Sequence, residues 1–95
     1  MPLRKNDGRP VDPEKFEQTL EELLARFGGV SRLPATVRGI WTHKGQRFED
    51  DSLRVFVDVP DTRANRQFFL KLKARLLKRF EQIEIYIASH PIDIL

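Results

Sequence analysis

Apolar positions along the chain fall into two helical stripes separated by alternating runs. Phe16, Leu20, Leu23, Leu24 and Phe27 recur at i, i+4, i+7, i+8 and i+11, which puts them on one face of a helix. Asp12 precedes that run as an N-cap, Pro13 suits the first helical position, and Glu14 and Glu17 oppose the positive end of the helix dipole. Gly28 follows as a residue able to take positive φ. The pattern predicts a helix over Pro13–Phe27. A second stripe, Phe69, Leu72, Leu76 and Phe80, widened by Phe68 and Leu77, predicts a helix over Thr62–Phe80, capped by Asp61 or Thr62.

Between the helices the period changes to two. Val30–Leu33 runs into Pro34, which cannot donate to a ladder and marks an edge, kink or bulge. Val37–His43 is the better strand, and Lys44-Gly45 reads as the turn. The return strand starts near Gln46. Its second half, Leu53 to Val59, places Leu53, Val55, Val57 and Val59 on one face, with an interruption and possible bulge at Asp50-Asp51-Ser52. A last strand is expected at Gln82–Ala88, with Ile83, Ile85 and Ile87 on one side and Glu84, Tyr86 and Ala88 on the other, closed by Pro91. Residues 1–11, with two prolines and Gly8, read as a flexible tail, and residues 12–95 as a single domain.

The expected order is therefore α-β-β-α-β, an α+β domain. A right-handed crossover through the second helix would lay the last strand beside the first, giving a three-stranded sheet of order 2-1-3 with both helices on one face. That is a split β-α-β unit, ferredoxin-like but lacking its first strand. The other sheet face has nothing in the chain to cover it.

A set of residues carries a resemblance. Phe27-Gly28-Gly29-Val30-Ser31, Pro34, Gly39-x-Trp41, Gly45, Asp50, the Val55-x-Val57-x-Val59 run and Phe80-x-Gln82-x-x-Ile85 together resemble the pattern of a family of small, uncharacterised bacterial proteins of about this length. Ser31 stands where threonine is more usual. The resemblance implies a bacterial source and a compact α+β domain. It transfers no activity and no functional residue.

The candidate chemistry is sparse. The chain has no cysteine, so neither a disulfide framework nor a thiolate site is available to it. No apolar stretch approaches the roughly 18 residues of a membrane span, and no leader is evident, which makes a cytoplasmic location the expectation. His43, Glu49, Asp50 and Asp51 are metal-competent types near the turn, but a zinc site needs three or four ligands and the only other histidine is His90. Ser31, Ser52 and Ser89 lack any nucleophile context, and Gly28-Gly29 follows a helix instead of opening one, so it cannot cradle phosphate. No metal and no cofactor is expected. An active site would have to be built near Trp41, His43 and Asp50.

Two features point to partners. Net charge is +3, and the second helix holds Arg63, Arg66, Lys71, Lys73, Arg75, Lys78 and Arg79 with no acid between Thr62 and Phe80. Arg63, Lys71, Arg75 and Lys78 share a face, which suits phosphate contacts, although the acidic first helix can complement them. The second feature is aromatic. A two- or four-residue loop at Lys44-Gly45 sets Trp41 opposite Phe48, and Phe56 and Tyr86 would join them on the open sheet face. A three-residue loop, or a bulge at Asp50-Asp51, would reverse part of that set, and Trp41 would then belong to the helix-covered core. A domain of this length buries only roughly 60–65% of its unfolded surface. The leading expectation is thus a non-catalytic interaction module that homodimerises through Trp41, Phe48, Phe56 and Tyr86. The alternatives are a nucleic-acid-binding accessory protein using the helix at 63–79, and a small enzyme or enzyme subunit using the Trp41/His43/Asp50 neighbourhood.

Overall fold

Local signals place both helices. The computed structural model describes all 95 residues, Met1–Leu95. Helix α1 spans Pro13–Phe27 and α2 spans Arg63–Arg79; between them lie strands β1, Ser31–His43, and β2, Gln46–Phe56. The Asp12 carboxylate accepts the Glu14 N–H at 3.0 Å, and Gly28 ends α1 at φ 77°. The Thr62 hydroxyl accepts the Asn65 N–H at 3.1 Å to open α2.

The helices pack antiparallel, as their aromatic contacts show. Phe27 at the end of α1 meets Phe68 and Phe69 at the start of α2, with ring centroids 5.4 and 5.5 Å apart. Phe16 at the start of α1 meets Phe80 just past the end of α2 at 5.3 Å. Val11, Phe16, Leu23, Leu72, Leu76, Phe80 and Ile85 form the buried core, and Leu53, Val55 and Val57 from one side of the hairpin pack against it.

The hairpin closes as the Lys44-Gly45 signal predicts. Lys44 has φ 50° and Gly45 φ 78°, the paired positive values of a two-residue type I′ turn. Trp41 lies opposite Phe48, Gly39 opposite Asp50, and Val37 opposite Ser52. The expected bulge at Asp50-Asp51-Ser52 does not form, because all three residues keep regular partners. The irregularity falls instead between Arg32 and Thr36, across Leu33-Pro34-Ala35, where Pro34 has no N–H to give. Regular pairing in β2 also stops at Phe56, short of Val57 and Val59.

The expected third strand is absent. The sheet has two strands, so the order is α-β-β-α; the split β-α-β unit, the ferredoxin-like arrangement and the 2-1-3 sheet order are all overturned. The α+β class stands. Residues 82–88 carry strand-like alternation, but other groups take their polar atoms. The Gln82 amide donates to the carbonyls of Arg4 at 2.6 Å and Phe80 at 3.0 Å, and the Ile83 N–H donates to the Asn6 side chain. Ile85 alone is buried, while Ile83 and Ile87 stay partly exposed, so the common apolar face is not used.

The place beside β2 is held by the N-terminal residues. Leu3 N–H donates to Asp51 O at 2.9 Å, Leu53 N–H donates to Met1 O at 2.7 Å, and Pro2 bridges Ser52. The segment at 1–11, expected as a tail, thus lies against the domain and sends Val11 into the core. Its prolines limit it to isolated bridges, with no continuous strand.

Candidate functional site

Strand alternation sorts the side chains of the hairpin onto two faces. Leu53 and Val55 turn toward the core, so Arg47, Glu49 and Asp51 share that side with Arg38 and Ile40 of β1. Arg38 pairs there with Glu49 at 3.1 Å and Asp51 at 3.7 Å, and Arg47 pairs with Glu49 at 2.8 Å. The outward face carries Val37, Gly39, Trp41 and His43 from β1 and Phe48, Asp50, Arg54 and Phe56 from β2.

Trp41 and Phe48 stack at 4.5 Å with rings 16° apart. The indole N–H donates to Asp50 Oδ2 at 2.7 Å, and the His43 ring stands 6.4 Å away. Neither Trp41 nor Phe48 packs on the core, so Trp41 does not belong to the helix-covered side. Phe56 shares their face but lies eight residues along β2 from Phe48, about 27 Å at strand rise, and is half exposed. Tyr86 is 90% exposed and lies outside the sheet, because the strand that would have carried it does not form. The structure therefore joins two of the four expected interface aromatics and leaves two apart.

The Trp41/His43/Asp50 neighbourhood is assembled, and its carboxylate is already bonded to the indole within it. Asp50 accepts from Trp41, and Glu49 and Asp51 face arginines across the sheet. No three of the histidine and carboxylate side chains converge as metal ligands would. The two main concavities are open and shallow. One, of about 310 Å³, is lined by Phe27, Val30, Phe56 and Val57 among others; the second lies between Val59, Pro60, Ile92 and Ile94. No helix is long and apolar enough to cross a membrane.

The basic helix divides. Arg75 meets Glu22 at 3.0 Å, and Arg79 meets both Glu22 and the buried Thr19 hydroxyl, the latter at 2.8 Å. Burial alone would raise the Glu22 carboxyl, but Arg79 and Arg75 outweigh it and hold the group below its ordinary value. Lys73 pairs with Glu84 at 2.9 Å and holds that carboxyl low as well. Arg63, Lys71 and Lys78 are exposed and make no ion pair. Of the expected phosphate-facing set, Arg75 is thus spent on the neighbouring helix, and the other three face solvent.

Gly39 and Ile40 lie outside the candidate sites that the sequence marks, although Gly39 belongs to the Gly39-x-Trp41 pattern. The signal was a glycine in a strand interior, where its entropy cost disfavours it. Its φ is not positive, and a Cβ added there would meet nothing within 4 Å, so neither turn geometry nor packing within the chain calls for glycine.

No family model matches the chain, nor does any curated protein or solved structure.

Proposed function

We propose that this chain is a non-catalytic interaction module that self-associates on its hairpin, around Trp41 and Phe48. The observation that carries this reading is surface area. The chain exposes 7275 Å², whereas a folded monomer of 11.1 kDa exposes about 5,700 Å². The excess of about 1,600 Å² is larger than the ~800 Å² each partner gives to a standard interface. The radius of gyration, 14.0 Å, likewise exceeds the ~12 Å of a compact chain this long.

Apolar exposure on the hairpin supports the same reading. Val37 is 46% exposed and Ile40 60%, on the stretch of β1 whose edge has no partner. A second copy would remove this surface from water at about 25 cal/mol per Å². The cytoplasmic accessory role expected from the sequence is part of this proposal. Light scattering at high micromolar concentration tests it: a mass of two chains is expected, falling to one in Trp41→Ala. A monomer mass with steeply salt-dependent binding of labelled nucleic acid would transfer the role to Arg63, Lys71 and Lys78.

A further inference from the structure

We propose that the free edge of β1 pairs antiparallel with β1 of a second copy, about a two-fold axis at Ile40. Two hairpins then form one four-stranded sheet in which each Trp41 lies across the partner's Gly39. This rests on the self-association reading and names the contact that produces it.

The edge is open. The backbone hydrogen bonds outside regular elements include none to Ser31–His43, and no side chain bonds to that backbone. In a two-residue hairpin the turn closes with a hydrogen bond from Gln46 N–H to His43 O, so His43, Trp41, Gly39 and Val37 direct their N–H and C=O groups at β2. Thr36, Arg38, Ile40 and Thr42 consequently direct theirs outward. Sheet edges of this kind are templates for another strand, and proteins blunt them with proline and bulges. Pro34 and the irregularity beside it blunt the proximal part of β1, whereas Thr36–His43 is left regular and unpaired.

The side chains select the register. An antiparallel two-fold pairing must match outward-directed residues with one another. Centring it on Ile40 sets Arg38 opposite the partner's Thr42, Val37 opposite the partner's His43, and Thr36 opposite the partner's Lys44. No like charges oppose each other, and Pro34 stays out of the ladder. A two-fold at Arg38 would instead set two guanidinium groups face to face and draw Pro34 in. At Ile40 the two exposed isoleucines meet, and Trp41 falls opposite the partner's Gly39. A Cβ at Gly39 would meet nothing within 4 Å, so this register leaves the position opposite the partner's Trp41 open for close approach of the two strands. A two-fold pairing of this kind uses the same edge on both copies and so closes at two, while Met1–Leu3 covers the outer edge of β2 at Asp51–Leu53.

Cysteine cross-linking in the full chain tests the register, since the protein has no cysteine of its own. Opposed residues of a hydrogen-bonded pair have Cα atoms about 5.5 Å apart, within disulfide range. Under mild oxidation Ile40→Cys should form a covalent dimer. Arg38→Cys and Thr42→Cys should cross-link when mixed and not alone. Gly39→Val should keep the helix signal and melting temperature of the parent, but weaken self-association roughly tenfold or more. Emission from Trp41, the sole tryptophan, reads this on dilution. A dimer that cross-links through Phe56→Cys and not through Ile40→Cys would overturn the edge pairing and leave self-association standing. A monomer mass at every concentration would remove both.

Discussion

Trp41 reaches diagonally across the hairpin to Asp50, its indole N–H 2.7 Å from Oδ2, while the residue directly opposite Asp50 is Gly39. The same indole stacks on Phe48, its direct partner across the strands, with ring centroids 4.5 Å apart. One polar bond and one ring stack thereby fix the only tryptophan of the protein on a surface that the helices do not cover.

That bond can be tested on its own. Asp50→Asn keeps an acceptor and should leave the hairpin almost unchanged. Asp50→Ala should cost about 1.5 kcal/mol, the lower end for a bond to a charged group because the site is half exposed. Urea melts followed by Trp41 fluorescence would separate the two; equal midpoints would show that the bond contributes nothing.

The core is small enough for one side chain to decide folding. Phe80 is fully buried against Phe16, and only seven apolar residues are buried in all. Phe80→Ala should cost about 3–5 kcal/mol, a large share of the stability of a domain this size. The expected outcome is loss of cooperative unfolding by circular dichroism. Phe80→Leu, which keeps most of the volume, should retain it.

Glu22 sets an acid dependence with a definite sign. Its folded carboxyl lies below the ordinary 4.5, so the stability it contributes is complete above pH 4.5 and disappears as pH falls through the folded value. Glu22→Gln should therefore lower the melting temperature at pH 7 and lower it less at pH 3. A deficit of the same size at both pH values would mean that the amide change acts through packing and not through charge.

The helix–helix contact has a second polar component. Thr19 is 2% exposed, donates to the Lys15 carbonyl at 2.9 Å and accepts from Arg79. Thr19→Val preserves shape but leaves Arg79 short of an acceptor, and should cost about 1–2 kcal/mol in chemical denaturation. In Arg79→Ala the same Thr19→Val change should cost less, since the acceptor is no longer needed.

Charge reversal on α2 separates the exposed cations from the committed ones. Lys71→Glu and Lys78→Glu touch no partner, so stability and dimer mass should stay within error of the parent. Arg75→Glu sets a second carboxylate against Glu22 and should lower the melting temperature. Similar losses in all three would show a general charge effect in place of the specific pair.

Short-range chemistry wrote α1, α2 and the turn into the sequence. Asp12, Gly28, Thr62 and the Lys44-Gly45 pair each act on backbone groups within a few residues, and apolar spacing then fixes which helix face is buried. The register that sets Trp41 opposite Phe48 was legible for the same reason, since a two-residue turn fixes it. The fate of Gln82–Ala88 was not, because a strand exists only where another strand offers free N–H and C=O groups. Its alternation was genuine, but Gln82 bonded to Arg4 and Ile83 to Asn6, contacts between opposite ends of the chain that hold the segment away from the edge of β1. The tertiary structure alone decided that competition, leaving Tyr86 in solvent and one edge of β1 without a partner.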